Sequence, residues 1–432
     1  MPATIVGSGT YTLEIDTGAP VRAFRLDDAT RGVLDGSTFV LDGVTDFADI
    51  TEYTTRVSVS RGRENISNTF TAGTLTCMLN DTAAGGVFNP FANDGPYYDP
   101  ANDEPGIAPN RVVNLWRGSE LLFTGRIVDY TYNFGLTGDD AVSIVAADDM
   151  YLLAQARTDE THIDQQLSGA RITTVLDLPE VNYPTGAARN IAAGTVTLAG
   201  HSGGGGGGHD ADLAVGDVVI DYLQQVNDAE QGRLFVSRDG VLTFQNRIGA
   251  TLSQHAVHFK DDGTEYPYRA VKIDFESDKI INLAFVTTIN GSSGTAENTA
   301  SQSKYFVQAV AALNTLLNDD TEAQALADYL LAPEPEPTFN AVTAGLPDMT
   351  TAQRDTVAVV DIGDTVAISK TFVNGDHSTT LTQELAVEGV RHELTLRGGH
   401  IITLYTSPTV IVYELLLDDT TFGTLDGANV LG

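Results

Sequence analysis

Apolar and polar residues alternate along much of the chain with the two-residue period of β-strands. Between residues 53 and 147 three such runs stand out, at 55–60, 121–130 and 141–146. Each is short and is followed by turn-forming residues, a pattern typical of small antiparallel barrels or sandwiches. Residues 88–109 interrupt the pattern with a turn-rich insertion that holds five of the 15 prolines. We predict a first β-barrel over residues 53–150.

The clearest local pattern is a β-hairpin at residues 233–245. Asp239 and Gly240 separate two alternating runs there, and glycine readily adopts the positive φ that a tight hairpin turn requires. Around this hairpin the apolar spacing becomes helical, which predicts a mixed α+β middle domain over residues 151–268. Helices or helical turns are predicted at residues 148–155, 171–178 and 215–229.

Strand patterns resume in the last third of the chain and predict a second β-barrel over residues 269–406. An amphipathic pattern at 303–331 predicts one helix or two, so we assign residues 303–332 to a helical insertion in this barrel. The proline-rich residues 333–337 follow as a stiff, extended linker. The strands are predicted at residues 270–275, 280–289, 357–368 and 401–405.

The two ends of the chain carry similar sequences. Residues 21–36 match residues 412–427 at nine of sixteen positions without a gap. We therefore predict a strand-turn element within an N-terminal extension, residues 1–52, and its repeat in a C-terminal tail, residues 407–432. A weaker likeness links residues 125–129 with residues 388–392. Either two similar barrels or ordinary hairpins explain it.

The chain is strongly acidic, with 24 Lys and Arg against 58 Asp and Glu and a formal net charge of −34. Such a surface repels phosphate, which disfavours DNA recognition and attraction to anionic membranes. Two explanations fit this charge equally well. One is solubility or adaptation to a salty habitat, and the other is a passage through which nucleic acid moves without binding to the wall. No basic segment precedes an apolar run at the N-terminus and no apolar stretch is long enough to span a bilayer. We expect a protein made in the cytoplasm without membrane insertion.

Histidines and aspartates flank a run of six glycines at residues 203–208. His201 and His209 stand on either side of the run, and Asp210 and Asp212 follow it. These residue types bind transition metals. Ordering ligands separated by six glycines is costly, however, so the spacing favours a flexible linker.

Other candidate chemistry is weak. Acidic clusters at 93–94, Asp99 and 102–104 offer oxygen ligands for Ca²⁺, but the EF-hand spacing is absent and solvated turns explain them better. His255 and His258 lie three apart in a predicted strand and point to opposite faces.

The remaining reactive or aromatic residues favour packing over chemistry. The single cysteine, Cys77, precludes an internal disulfide and lies in an alternating run, as a buried, inert thiol would. Trp116, Tyr97 and Tyr98 are expected to pack in the core or in an interface. The sequence lacks His-Glu-x-x-His and the phosphate-binding Gly-x-x-x-x-Gly-Lys. We expect no catalytic, cofactor-binding or metal-binding residues, no cofactor and no enzymatic activity.

Several short sequence motifs follow one another in a characteristic order. They are Val-Ser-Arg-Gly-Arg at 59–63, Phe-Thr-Ala-Gly-Thr at 70–74, Asn-Asp at 80–81, Phe-Asn-Pro at 88–90, Ile-Ala-Pro at 107–109 and Leu-Phe-Thr-Gly-Arg at 122–126. In this order and spacing they resemble the N-terminal domain of minor tail proteins of long-tailed bacteriophages, especially those of actinobacterial hosts. Residues 232–247 are similar to the hairpin of their middle domain, and residues 361–366 and 387–392 to their last barrel.

This resemblance implies a tail hub at the tail tip of the virion. Such hubs have two related β-barrels per subunit, so a trimer presents a pseudo-sixfold ring to the sixfold tail tube, with a DNA channel along the axis. The resemblance implies self-association into a ring, with a trimer favoured over a hexamer. It also implies contacts with a distal tail or tube protein, a tape measure protein and other tail-tip or fibre proteins. DNA would pass through without specific binding.

Two alternatives remain open at this stage. One is a sixfold distal-tail ring that carries side fibres. The other is a carbohydrate-binding or cell-wall-degrading tail-tip protein.

Overall fold

The computed structural model describes residues 11–17, 47–65, 69–92, 95, 97–99, 104–136, 140–201, 211–247, 257–275, 280–331, 336–375 and 377–408. Within them the chain is mainly β with some α and divides into several domains built on antiparallel sheet, which confirms the predicted fold class. The matching sequences at 21–36 and 412–427 and the glycine run at 203–208 lie outside the described residues. The predicted domain boundaries remain predictions.

The described residues of the N-terminal third lie mostly in strands, because their alternating apolar side chains face one core. One short helix, α1 (Asp81–Ala84), follows the fourth strand, and a 3-10 turn covers Thr51–Tyr53. The strands are β1 (Tyr11–Asp16), β2 (Phe47–Asp49), β3 (Thr54–Gly62), β4 (Thr71–Asn80), β5 (Tyr98–Asp99), β6 (Glu104–Pro105), β7 (Val112–Arg117), β8 (Glu120–Asn133) and β9 (Ala141–Ala147).

The middle third mixes helices with short strands, as predicted. Its helices are α2 (Met150–Gln155), α3 (Ser168–Leu176) and α4 (Val219–Glu230), with a 3-10 turn at Gly186–Ala188. Its strands are β10 (Gln166–Leu167), β11 (Arg189–Ile191), β12 (Thr197–Leu198), β13 (Arg233–Val236), β14 (Leu242–Gln245) and β15 (Val257–Lys260). The predicted hairpin is confirmed, since β13 pairs antiparallel with β14, and Gly240 has a φ of 80° in the turn.

In the last third the described residues return to long strands, with three helices between them. The helices are α5 (Thr299–Tyr305), α6 (Asp320–Leu331) and α7 (Thr351–Ala358), with a 3-10 turn at Leu346–Asp348. The strands are β16 (Ala270–Asp274), β17 (Leu283–Thr288), β18 (Ser293–Glu297), β19 (Ala309–Thr315), β20 (Thr338–Gly345), β21 (Thr365–Asn374), β22 (His377–Thr395) and β23 (Gly399–Pro408).

The segment predicted at 303–331 as one helix or two begins within α5 and ends with α6, but a strand that was not predicted, β19, lies between the two helices. β19 pairs in parallel with β17 and thereby gains a ladder of hydrogen bonds from a strand distant in sequence. A second local prediction in this third was wrong. The strand predicted over 357–368 begins only at Thr365. Before it α7 forms, because the Thr350 hydroxyl and the Gln353 side chain make a reciprocal capping box at its start.

Thirteen strands form one sheet with the order β16-β20-β23-β22-β3-β4-β9-β8-β7-β1-β2, while β21 joins β22 and β15 joins β21. The predicted closed barrels are not found among the described residues. The reason is a single pairing. β3, which could have closed the first half on itself, instead pairs antiparallel with β22 of the second half. The two predicted barrels are therefore two parts of one continuous sheet.

The same five-strand order occurs twice in this sheet. We call β3, β4, β7, β8 and β9 the first unit, and β16, β20, β21, β22 and β23 the second unit. Hydrogen-bonded neighbours run β3-β4-β9-β8-β7 in one and β16-β20-β23-β22-β21 in the other, and every pairing is antiparallel. Each fourth strand has a bulge against the fifth, between Ile127 and Asp129 and between Val387 and Gly389. The weak sequence likeness of residues 125–129 and 388–392 lies on these two bulged strands.

Two apolar cores lie beneath the sheet. One contains side chains of the first unit together with those of β1, and the other combines the second unit with the middle domain. Polar groups between two apolar cores must be paired to be tolerated. Charges buried at the contact between the two units therefore need partners, and their pairing determines how the units pack on each other.

Candidate functional site

Glu388 is a buried carboxylate that two arginines hold in place. Its side chain is only 1% exposed. Arg63 Nη2 lies 2.8 Å from its Oε2, Arg233 Nη2 lies 2.8 Å from its Oε1, and the Ser407 hydroxyl donates to Oε1 at 2.7 Å. Burial alone would raise the pKa of Glu388, but the two guanidinium charges and these hydrogen bonds lower it to about 2. Glu388 is therefore ionised at neutral pH.

A second carboxylate, Asp361, joins the same three parts of the chain. Arg61 Nη1 lies 2.6 Å from Asp361 Oδ1, and the backbone N–H of Arg238 donates to Oδ2 at 2.8 Å. The Arg238 guanidinium extends to the first unit, where it donates to the Leu121 carbonyl at 2.9 Å and to Glu120 Oε2 at 3.1 Å. The first unit, the middle domain and the second unit are thus linked through both carboxylates, Glu388 and Asp361.

These contacts bring together sequence strings that lie far apart in the chain. We call the resulting ion network the junction and define it as Arg61, Arg63, Arg233, Arg238, Asp361 and Glu388. The six residues of the junction come from residues 59–63, 232–247, 361–366 and 387–392, which are among the strings that carry the resemblance to minor tail proteins. The strings therefore encode the packing of the domains on one another. Sequence reasoning identified the strings but not their partners.

The glycine in the first of these strings has a steric role. Gly62 has a φ of 81°, a value that other residues rarely adopt, and a Cβ placed on it would lie 2.3 Å from the Glu388 carbonyl oxygen. The next residue, Arg63, donates its backbone N–H to that same oxygen at 2.9 Å. Glycine is required here so that β3 can approach β22.

A buried histidine chain links β1 to the second unit. Tyr11 OH lies 2.8 Å from His400 Nδ1, and His400 Nε2 lies 2.9 Å from His392 Nδ1. Burial, and the charge of nearby Arg117, lower the pKa of His400 to about 3. Burial and the neighbouring histidine also lower the pKa of His392. Both rings are therefore neutral at physiological pH, and sequence reasoning did not anticipate their pairing.

The histidine and aspartate beside the glycine run do meet, together with a third residue. His162 Nδ1 and His201 Nδ1 each lie 2.7 Å from Asp212 Oδ2. Partial burial would raise the pKa of Asp212, but hydrogen bonds from the Ile163 N–H and the two histidines lower it. His209 and Asp210, also noted in the sequence, lie outside the described residues, as does His255.

The other predicted positions are structural. Cys77 is fully buried, as expected, and burial raises the pKa of its thiol to about 12, so it is no nucleophile at neutral pH. His258 lies in β15 between Ser369 and Glu265. Residues 200–204 spell Gly-x-Ser-x-Gly, the string of a hydrolase nucleophile elbow, but glycines follow it in place of a helix-forming sequence.

The aromatic residues of interest make packing contacts. Tyr97 stacks on buried Phe88 with ring centroids 5.4 Å apart, and Trp116 Nε1 donates to Glu14 Oε1 at 2.7 Å. Asn93, Asp94, Asn102 and Asp103 lie outside the described residues. The backbones of Asp99 and Glu104 pair with each other between β5 and β6. Within the described ranges, no helix is both long and apolar enough to cross a membrane.

Solved structures of tail proteins have a similar fold. A 43 kDa tail protein of prophage MuSo2 from Shewanella oneidensis superimposes with a TM-score of 0.55 at 10% identity, over 92% of this chain and 98% of that one. The fold is that of a phage-type tail protein. A tail protein from Neisseria meningitidis agrees, with a TM-score of 0.54 at 11% identity over 84% of this chain and 94% of that one.

Sequence comparisons identify no relative of this chain. No protein-family model matches the chain, and no curated protein matches it. The predicted actinobacterial host therefore remains a prediction.

Proposed function

We propose that this chain is a structural subunit of a phage-type tail tip, three copies of which form a hub ring around an axial passage for DNA. The ring joins the tail tube to tip or fibre proteins and catalyses no reaction. The observation that carries this proposal is the repeated five-strand unit, because three chains with two such units each supply six similar elements. A ring of that kind matches a sixfold tube. A sixfold ring of this chain would present twelve units instead.

The contact between units inside the chain indicates how a ring would close. The C-terminal half of β22, the fourth strand of the second unit, pairs with β3, the first strand of the first unit. The equivalent strands, β8 and β16, have no such partner among the described residues. We infer that β16 of one subunit pairs with β8 of the next in the same antiparallel way. Three such contacts would close the ring and cover the open edge of β16.

The expected register follows from the bulges. Directly paired residues cross the first unit in the order Asp129, Val145, Thr76 and Ser58, and the second unit in the order Gly389, Tyr405, Ala341 and Lys272. Within the chain Glu393 pairs with Ser58. Glu393 lies four residues after Gly389, and its counterpart four residues after Asp129 is Asn133. In the ring Asn133 should therefore oppose Lys272 of the neighbouring subunit.

Exposed apolar side chains on and beside β16 are consistent with an edge that a neighbouring subunit covers in the ring. Ile273 is 40% exposed and Phe275, directly after the strand, is 52% exposed. Open strand edges with apolar side chains promote aggregation unless a partner covers them. The net charge of −34 suits a wall past which DNA slides, because like charge gives phosphate nothing to bind.

Cysteine cross-linking tests the proposed contact. Lys272→Cys and Asn133→Cys are made in separate chains, which are mixed and treated with a short thiol cross-linker; buried Cys77 does not compete. We expect a cross-linked dimer from the mixture and none from either variant alone. A chain carrying both cysteines should give covalent trimers.

The matched control places the second cysteine on an exposed strand position away from the contact, Thr380→Cys. Equal cross-linking of Lys272→Cys to this control, or covalent species larger than trimers, would contradict the proposed ring. The structural role is tested separately. Release of soluble sugar from host cell-wall glycan by the purified protein would show that it is an enzyme.

A further inference from the structure

Three residues from separate segments converge on one point at the surface of the middle domain. They are His162 before β10, His201 after β12, and Asp212 before α4, and their ligand atoms all lie within 4.8 Å of one another. We propose that His162, His201 and Asp212 form a binding site for a divalent transition metal ion, with Zn²⁺ as the best match. This site is independent of the proposed tail function and replaces the sequence-based expectation of no metal.

The donor set fits zinc chemistry. Two imidazole nitrogens and one carboxylate oxygen are ligands that Zn²⁺ binds at about 2.0–2.2 Å, and three protein ligands leave a fourth position for water. Tetrahedral coordination at those bond lengths separates neighbouring ligand atoms by roughly 3.3–3.6 Å. Each Nδ1 lies 2.7 Å from Asp212 Oδ2, so small rotations of the two exposed histidine side chains would admit the ion.

The three segments are held together without help from the glycine run. Thr161 and Leu213 exchange two backbone hydrogen bonds of 3.1 Å. The His201 N–H donates to the Ile163 carbonyl at 2.8 Å, and the Ile163 N–H donates to Asp212 Oδ1 at 3.0 Å. The ligands are therefore placed by short bridges at the two ends of the glycine-rich segment. The entropy of the glycines, which made the spacing look unfavourable, is not lost on metal binding.

A buried pair beneath the site fixes the same three segments. Arg171 is fully buried, and its Nη2 donates to the Ala199 carbonyl at 2.7 Å and to the Asp164 carbonyl at 3.0 Å. Its Nη1 donates to the Tyr222 hydroxyl at 2.7 Å, which in turn donates to the Ala211 carbonyl at 2.9 Å.

Each of these three carbonyls lies within two residues of one proposed ligand. One arginine and one tyrosine thus position every segment of the site. Outer interactions that orient ligands in this way are a regular part of metal sites.

Hydrogen bonds alone are the competing explanation, because an imidazole Nδ1–H can donate to a carboxylate. Both Nδ1 atoms converge on one oxygen, Asp212 Oδ2, and the ring centroids lie 4.1 Å apart, so three atoms of the kinds that Zn²⁺ binds surround one point. Metal binding distinguishes the two explanations. Since His201 and Asp212 bracket the segment with six glycines, the ion would also fix the two ends of that segment to each other.

Cobalt titration tests the site, because Co²⁺ replaces Zn²⁺ and absorbs visible light when bound. Protein without a histidine tag is titrated with Co²⁺, and Zn²⁺ is then added as a competitor. We expect one Co²⁺ per chain, displaced by Zn²⁺. His162→Gln and His201→Gln should each weaken binding by more than about tenfold, the loss that removal of even an outer-shell partner causes. His258→Gln, a histidine outside the cluster, should bind like the parent.

A second measurement does not depend on colour. Zn²⁺ should raise the thermal unfolding midpoint of the parent protein and of His258→Gln but not that of His162→Gln, whose side chain is 60% exposed and can be replaced without disturbing the fold. Absence of Co²⁺ binding to the parent at millimolar metal would overturn the proposal. So would parent-like binding by both His162→Gln and His201→Gln.

Discussion

The two five-strand units have the same strand order but opposite surroundings at their first strand. In the first unit β3 is buried against β22 and fixed by the junction, with Glu388 between Arg63 and Arg233. In the second unit β16 is exposed along one edge. One fold element therefore has two uses, one that holds the chain together and one that is available for a partner. Changes at the first should affect stability, and changes at the second should affect assembly.

The largest effect is expected from the junction. Glu388→Gln removes a buried charge on which two guanidiniums depend, and breaking such an interaction typically costs about 3–5 kcal/mol. Thermal unfolding followed by circular dichroism measures the loss. The matched control is Asp348→Asn, which breaks the exposed Arg269–Asp348 pair and should cost less than about 1 kcal/mol. Similar losses in the two variants would show that the junction is not a special source of stability.

The next effect concerns the close approach of β3 to β22. Gly62→Ala combines an unfavourable positive φ with a Cβ that overlaps the Glu388 carbonyl. Gly263→Ala has nearly the same φ, 76°, but no atom within 4 Å of the added Cβ. Conformation alone costs about 1–2 kcal/mol, so Gly62→Ala should lose clearly more than Gly263→Ala in urea unfolding. Equal losses would mean that β3 can move away from β22 at little cost.

A pH dependence follows from the histidine chain between β1 and the second unit. His400 stays neutral in the folded chain down to about pH 3, whereas in the unfolded chain it binds a proton below its ordinary pKa of 6.5. Stability is therefore fully present above pH 6.5 and falls as the pH drops from 6.5 toward 3, by about 1.4 kcal/mol per pH unit for this residue.

Urea unfolding at pH 6.5, 5.5 and 4.5 should show a shallower pH slope for His400→Gln than for the parent. Asp148 opposes the trend, since burial raises its pKa to about 7, but it is present in both proteins and cancels in the comparison. Parallel slopes would contradict a neutral, buried His400.

The sequence predicted what depends on neighbours along the chain. The hairpin at 233–245 and helix α4 were found because turn chemistry and apolar spacing are local signals. β19 was missed because its strand state depends on β17, a partner more than twenty residues away. His162 was missed for the same reason, since 39 residues separate it from His201. The capping box of α7, made by Thr350 and Gln353, is by contrast a local signal that the sequence itself carries.

In the junction, too, the local sequence motifs could be predicted and the contacts between distant residues could not. The strings around Arg61, Arg233, Asp361 and Glu388 could be recognised in the sequence, but only the folded chain shows that they are ion-pair partners of one another. Which residues contact each other across domains depends on the assembled sheet.

The smallest effect on stability is expected at the open edge. Ile273→Lys on β16 should change monomer stability by less than about 0.5 kcal/mol, because the side chain is already 40% exposed. Sedimentation velocity should nevertheless show loss of the self-associated species, since a charge would be buried between strands. Unaltered association would move the subunit contact away from β16.

Electron cryo-microscopy of the assembled ring would show the number of chains and the contact between them. We expect three chains around the axis, six five-strand units, and antiparallel pairing of β16 with β8 of the next subunit near Lys272 and Asn133. A ring of six chains, or a subunit contact that leaves β16 exposed, would contradict the proposed ring.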